Sequence, residues 1–128
     1  MMKLRDRTLR IACVCVAAVL LCQGCEDDDD YLDHVPPAGQ GSLIVDNRTA
    51  IDFNLFVDGE SAGEVKDGRE RIIDLEPGIR RVVLDDDDDI YTSFRDDIDI
   101  LEGQLTILKV YPVLSGSSPG YTVTVEFD

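Results

Sequence analysis

Cysteine, tryptophan and histidine are scarce in this chain, and their distribution excludes several kinds of chemistry. The four cysteines all lie within the first 25 residues, tryptophan is absent, and His34 is the single histidine. The segment after Cys25 therefore has no thiol for a disulfide bond, a zinc site or a nucleophile. We interpret His34, which lies in a stretch rich in proline and glycine, as a spacer residue rather than a general base. The chain is predicted not to be an enzyme.

Positive charge is scarce as well. The 128 residues include 27 acidic and 12 basic side chains, which gives a formal net charge of −15 at pH 7. A surface of this charge repels nucleic acid and anionic lipid headgroups, so we expect no nucleic-acid partner. High acidity also keeps an exported protein soluble, so the net charge alone does not indicate a cationic partner.

The longest continuous apolar run lies near the N-terminus and is too short to span a bilayer. Residues 11–21 carry no charge and follow four basic side chains. A helix needs about 20 apolar residues to cross a membrane, and a short apolar run after a basic start is typical of a secretion signal. An ordinary signal peptide and a short uncleaved anchor are the two simplest interpretations.

Residues 20–25, with the sequence Leu-Leu-Cys-Gln-Gly-Cys, place a small glycine directly before Cys25. They resemble the lipobox of bacterial lipoprotein signal peptides, whose cysteine is acylated and becomes the mature N-terminus. The resemblance implies a signal peptide over residues 1–24, a palmitate-type lipid on Cys25 and membrane attachment through that lipid. Removal of residues 1–24 would take away Asp6 and four basic residues, leaving 26 acidic against 8 basic side chains.

Residues 25–41 are predicted to form the lipidated cysteine and a disordered acidic tether. Five consecutive carboxylates at 26–30 repel one another, and the prolines and glycines of residues 36–41 disfavour helix and strand. The acidic run also resembles the export signal of some Bacteroidetes lipoproteins. We expect a cell-envelope protein of the outer membrane, and both a periplasm-facing and a surface-exposed position stay open.

From residue 42 to residue 128 the chain alternates apolar and polar side chains between turn residues, which is typical of strands. The pattern predicts one all-β domain, a small antiparallel β-sandwich of about seven or eight strands. Residues 104–113 are apolar on both faces and should form a central strand, whereas a bulge or edge position is expected near residues 95–97. We interpret Asn47-Arg48-Thr49, a glycosylation acceptor pattern, as a turn. The predicted strands are 43–45, 51–57, 62–65, 69–75, 79–84, 91–100, 104–113 and 121–127.

Several turn motifs in this part resemble a known module. Residues 55–59 (Leu-Phe-Val-Asp-Gly), Gly63, residues 75–78 (Leu-Glu-Pro-Gly) and residues 81–84 are similar to the PEGA-type β-sandwich of bacterial surface and exported proteins. The same outline resembles transthyretin-like and carboxypeptidase-regulatory sandwiches. These resemblances imply a non-catalytic accessory domain without active-site residues.

The candidate functional residues are acidic side chains and one phenylalanine. Calcium takes six to eight oxygen ligands, so clustered carboxylates predict a candidate calcium site, and a solvated, self-repelling loop is the alternative. Phe56 falls on an otherwise polar strand face, where it covers the opposite side of the sheet or contacts a partner. The candidate metal ligands are Asp85, Asp86, Asp87, Asp88, Asp89, Asp96 and Asp97.

Together these features predict a non-catalytic, lipid-anchored envelope protein that acts as a structural or protein-interaction module. One alternative is a calcium-responsive binding domain that uses the loop at residues 85–89. A further alternative is an inhibitor of a secreted enzyme. An envelope protein is the expected partner, and calcium is the one cofactor considered.

Overall fold

A computed structural model describes residues 30–113 and 120–128, which form a β-sandwich of two four-stranded sheets. This confirms the predicted all-β sandwich and its strand number. The signal peptide, Cys25 and most of the loop predicted before β8 lie outside the described residues. The elements are a 3-10 helix at Asp30–Asp33 and the strands β1 (Gly41–Asn47), β2 (Phe53–Val57), β3 (Glu60–Val65), β4 (Glu70–Leu75), β5 (Gly78–Asp86), β6 (Phe94–Ile100), β7 (Leu105–Val113) and β8 (Gly120–Phe127).

The strands divide into sheet A, with the order β4-β1-β7-β8, and sheet B, with the order β3-β2-β5-β6. β1 and β7 run parallel, whereas the other neighbouring strands are antiparallel. β7 is internal in sheet A, as its two apolar faces predict. β6 lies at an edge of sheet B, which agrees with the edge position expected near residues 95–97.

Tight turns and one glycine fix the geometry of the β2–β3 hairpin. Asp58 and Gly59 both have positive φ, 53° and 82°, as a two-residue turn between antiparallel strands requires. Gly63 also has positive φ, 101°, and a Cβ at this position would collide with the guanidinium of Arg71. The missing side chain lets Arg71 donate a hydrogen bond to the Ala62 carbonyl at 2.6 Å, which links β4 of sheet A to β3 of sheet B.

The main core lies between the two sheets and follows the predicted alternation. Phe53 and Leu55 are fully buried while Phe56, between Leu55 and Val57 in sequence, points to the other side of sheet B. The rings of Phe53 and Tyr121 meet edge to face with 4.8 Å between centroids, which joins β2 to β8. The buried core residues are Leu43, Val45, Phe53, Leu55, Val65, Val82, Leu84, Ile98, Ile100, Leu108 and Val110.

Residues 30–40, here called the strap, lie against the outer face of sheet A. Tyr31 is 3% exposed and packs in a second cluster with Ile44, Leu105 and Ile107. The N–H of Gly103 donates to the carbonyl of Gln40 at 2.9 Å, which fastens the other end of the strap. The ordered contacts therefore begin before residue 42, in a segment for which the composition predicts a disordered tether. One buried aromatic ring outweighs the charges and prolines around it.

Asn47, the last residue of β1, stabilises the turn that follows this strand. Its side chain is fully buried, and its Nδ2 donates to the carbonyls of Ile51 at 2.6 Å, Lys66 at 3.1 Å and Val65 at 3.2 Å. Its Oδ1 accepts the Thr49 N–H at 3.0 Å and the Thr49 hydroxyl at 2.7 Å. The amide thus stabilises the turn that was expected here and is enclosed by it.

Candidate functional site

The strap buries a polar group on the outer face of sheet A. The Tyr31 hydroxyl donates to Oδ2 of Asp46 at 3.0 Å, and Nε of Arg48 donates to the same oxygen at 2.9 Å. The hydrogen bond to Asp46 raises the pKa of Arg48, although burial acts in the opposite direction. The Arg48 guanidinium also lies 5.6 Å from the ring centroid of Tyr111. The carboxylate of Asp46 therefore has two donors beneath the strap.

His34, the residue interpreted as a spacer, binds β4. Its Nε2 lies 2.7 Å from Oδ1 of Asp74, and the Ser42 hydroxyl donates to the same oxygen at 2.6 Å. The Ser42 hydroxyl first, and His34 second, lower the pKa of Asp74. In a catalytic triad the histidine stands between the hydroxyl and the carboxylate. Here both groups bind the carboxylate directly, which is an arrangement that fastens the strap.

The outer face of sheet B, here called the open face, has an apolar centre. Phe56 lies beside Val83 of β5 and Ser61 of β3 in the strand register, and Arg95 of β6 lies on the far side of Val83. Phe56 and Val83 are half-buried, while Ser61 and Arg95 are exposed. Phe56, the candidate partner-binding residue, is thus placed at the middle of a solvent-accessible sheet face.

Charged side chains surround that apolar centre. Arg81 pairs with Asp97 across β5 and β6, with Nη2 3.2 Å from Oδ2. This ion pair lowers the pKa of Asp97, and both side chains are more than half exposed. Asp85 and Asp99 lie on the same face, opposite Asn54 and Ile79 respectively. The rim of the open face is therefore predominantly acidic.

Within the acidic run at residues 85–89, Asp86 is separated from the other carboxylates because it binds the backbone of the loop. Asp86, at the end of β5, is 2% exposed, and its carboxylate accepts the N–H groups of Asp88 at 3.0 Å, Ile90 at 2.9 Å and Tyr91 at 3.1 Å. Burial raises the pKa of Asp86, but the three backbone donors outweigh it and hold the pKa below its ordinary value. Asp86 therefore caps the β5–β6 loop from inside.

The other candidate metal ligands point to different places. Asp85 is half-buried on the open face, whereas Asp88 and Asp89 are exposed, and Asp89 has a positive φ of 52°. Asp96 and Asp97 lie opposite Val82 and Arg81, several positions before the run along β5. The structure does not bring these carboxylates together with Asp86. The last member of the run, Asp87, joins a different group.

Asp87 lies close to Asp52 and Glu64, and one carboxylate oxygen from each falls within 4.8 Å of the others. The sequence pattern did not identify Asp52 or Glu64 as candidate metal ligands. The pairing of Asn54 with Glu64 in the β2–β3 hairpin is the signal that places Glu64 near this group. Lys66 lies 3.2 Å from Glu64, and Glu64, then Asp52 and Asp87, raise the pKa of Lys66. Lys66 therefore supplies a positive charge to this group.

A groove of about 570 Å³ separates the β5–β6 connection from the first half of β8. The Tyr121 hydroxyl donates to the carbonyl of Thr92 at 2.7 Å, and both residues line the groove. Burial is the main cause of the raised pKa of Tyr121. The residues that line the groove include Ile90, Tyr91, Thr92, Phe94, Tyr121 and Val123.

Comparison with known proteins does not identify a family for this chain. No family model matches the sequence, and no curated protein matches it either. Among the residues that the structure describes, no helix has the length and apolar character needed to cross a membrane.

Proposed function

We propose that this chain is a non-catalytic, lipid-anchored protein of the bacterial cell envelope that acts as a protein-interaction module. In this proposal Cys25 carries the lipid after removal of residues 1–24, and the outer membrane is the site of attachment. The support is the apolar run that ends in Gly24-Cys25 and the resemblance of the turns to PEGA-type accessory modules.

The open face is the observation that favours an interaction role. On sheet A, Tyr31 covers Ile44 and Ile107, whereas on sheet B the pair Phe56 and Val83 is accessible to solvent. A half-exposed aromatic residue at the centre of a polar rim is the usual arrangement of a binding surface. The PEGA-like resemblance implies the same kind of role.

The chemistry of the open face indicates what kind of partner fits it. Its rim includes Asp85, Asp97 and Asp99, while Arg95 lies near the centre. A protein surface with an apolar centre and basic side chains around it would complement this arrangement. Such a partner would bind less tightly at high salt, because the rim charges are exposed and screened.

Differential capture tests this proposal. Wild-type chain, a Phe56→Thr variant and an Ile72→Thr variant are each used to capture envelope proteins from the native membrane fraction. Threonine is β-branched and suits a strand, and Ile72 is a matched control because it is 38% exposed on sheet A. We expect one basic partner to be captured by wild type and by Ile72→Thr, and to be lost with Phe56→Thr. Equal capture by all three proteins would contradict the assignment of the open face.

The anchor is tested separately by mass spectrometry of the processed protein. The expected product begins at Cys25 and carries acyl chains, and a Cys25→Ser variant should leave the membrane fraction. A retained leader or an unmodified terminus would refute the lipoprotein part of the proposal.

The calcium-responsive domain and the inhibitor of a secreted enzyme stay predictions. A thermal melt with millimolar calcium and with chelator tests the first, since a ligand that binds only the folded state raises the melting temperature. An Asp87→Asn variant shows whether any such shift depends on the group formed with Asp52 and Glu64.

A further inference from the structure

β8 differs from the other edge strands because it has few of the features that prevent a further strand from pairing with a sheet edge. Edges attract further strands, and proteins protect them with charges, bulges or side-chain contacts. The pairing of β3 with β2 contains a bulge, β4 bonds the Ala62 carbonyl through Arg71, and β6 has a charged run from Arg95 to Asp97. β8 has one charged side chain, Glu126, and no proline.

The hydrogen bonds at the end of β8 show which backbone groups point away from β7. Leu105 and Asp128 exchange two bonds, with N···O distances of 2.8 Å and 2.9 Å. Residues of an antiparallel strand alternate between those that bond the neighbouring strand and those that point away from it. The register of β8 with β7 is continuous. The residues whose N–H and C=O groups point to the free edge are therefore Tyr121, Val123, Val125 and Phe127.

Two copies of β8 fit one another in one antiparallel register, centred on Thr124. In that register Tyr121 lies opposite Phe127, and Val123 lies opposite Val125. All the free groups of these residues then pair, which gives about eight backbone hydrogen bonds. Aromatic pairs and pairs of β-branched residues are favourable opposite neighbours.

The charges of β8 also suit pairing with itself. Glu126 lies opposite Thr122 in this register, so no carboxylate on the paired strands faces another. Within its own chain Glu126 is 3.0 Å from Nζ of Lys109. Like charges directly opposite would destabilise the pair, and this register avoids them.

Exposed apolar side chains give the second copy a place to bind. Val125 and Phe127 are 38% and 53% exposed although they lie on the same side of sheet A as Tyr121. In the Thr124-centred register, Phe127 of the second copy lies next to Tyr121, which lines the groove together with Ile90 and Phe94. Burial of Phe127 there would remove a large apolar surface from water.

We propose that β8 pairs with β8 of a second copy of this chain, with Thr124 at the centre, and that Phe127 of each copy enters the groove of the other. The two A sheets then form one continuous sheet of eight strands. This contact does not involve the open face or Cys25. Its failure would leave the proposed function untouched, and the reverse also holds.

Disulfide trapping of the full-length chain in mild detergent tests the register. Thr124 would lie opposite its own copy in a pair without backbone hydrogen bonds, where the Cα atoms are about 4.5 Å apart and within disulfide range. Thr122 is the matched control, because the two copies of this exposed residue would lie about 13 Å apart along the strands. After mild oxidation, we expect Thr124→Cys to give a peptide pair cross-linked through position 124 of both copies, identified by mass spectrometry. Its yield should be about tenfold higher than that of the corresponding product of Thr122→Cys.

Sedimentation of full-length variants provides a second measurement. Val125→Pro removes an N–H that points to the free edge and leaves the bonds to β7 in place, so the dimer dissociation constant should rise about tenfold or more. The circular dichroism of Val125→Pro is compared with wild type to confirm folding. Raising the salt concentration should strengthen wild-type association, since each copy carries a net charge of −15.

Three results would overturn the proposal. One is a wild-type chain that sediments as a monomer at about 100 µM, a concentration at which even weak pairs associate. Another is equal trapping of Thr124→Cys and Thr122→Cys. The third is a Thr124→Cys variant that, when oxidised in membranes, forms a disulfide with a different protein instead of with a second copy. That result would assign this edge to the other protein.

Discussion

The outer face of sheet A buries Ile44 and Ile107 beneath Tyr31, whereas the outer face of sheet B leaves Phe56 and Val83 half-exposed. The two faces have similar strand lengths, but within residues 30–113 and 120–128 only the face of sheet A is covered by a segment from the N-terminal side of the sandwich. The difference shows that a short segment with a single aromatic ring can complete a sheet face. On sheet B, Phe56 and Val83 have no such cover among the residues that the structure describes.

The largest expected effect comes from removing the cover of sheet A. Tyr31→Ala deletes a buried ring and its hydrogen bond to Asp46, so the free energy of unfolding should fall by about 3 kcal/mol. Leu32→Ala is the matched control, because Leu32 is 45% exposed and its truncation should change stability by less than about 0.5 kcal/mol. Urea denaturation measures both. Similar losses in the two variants would show that the strap does not stabilise sheet A.

A smaller effect is expected at the end of sheet B. Asp86→Ala leaves three backbone N–H groups without their acceptor and should lower the free energy of unfolding by about 2 kcal/mol. Asp88→Ala alters an exposed member of the same acidic run and should change stability by about 0.5 kcal/mol or less. If the two variants were equally stable in urea, the hydrogen bonds of Asp86 would not stabilise the β5–β6 loop, and the prediction would be wrong.

The smallest effect concerns the second attachment of the strap and depends on pH. Folding lowers the pKa of Asp74 from its ordinary value of 3.8, through the Ser42 hydroxyl first and His34 second. Its contribution to stability is therefore present above pH 3.8 and is lost as the pH falls through the lowered pKa. Asp74→Asn should cost about 1 kcal/mol at pH 7 and nothing in strong acid. Hydrogen exchange of β1 at both pH values checks this, and an unchanged difference between wild type and variant would contradict it.

The strand pattern predicted most of the fold because each strand of a sandwich has its own local signal. Alternation placed Phe53 and Leu55 inside and Phe56 outside, and the two apolar faces of residues 104–113 indicated an internal strand. Sheet membership was not predictable in this way. The parallel pairing of β1 with β7 joins segments about 60 residues apart and leaves no local mark in either of them.

The candidate sites were harder to predict because their geometry depends on where side chains point. A run of five aspartates suggests shared ligands, but Asp86 turns inward to bind the loop backbone while Asp87 meets Asp52 and Glu64. Similarly, the prolines and charges around Tyr31 predict disorder, because the composition of a segment does not indicate which of its side chains is buried in the folded protein. The position of Phe56 on the outer face of its strand was predictable, because one apolar side chain on a polar strand face is a local signal, and its role in binding a partner stays a prediction.

The strap also sets how the molecule would stand on a membrane. Only six peptide steps separate Cys25 from Tyr31, which is docked on sheet A, and they can span at most roughly 20 Å. With a lipid on Cys25, the outer face of sheet A at Tyr31 would lie within roughly 20 Å of the headgroups, and Phe56 lies on the opposite face of the sandwich. With an undocked strap, the 16 peptide steps from Cys25 to the start of β1 at Gly41 could span roughly 55 Å, so the strap limits the sandwich to a much shorter distance from the bilayer.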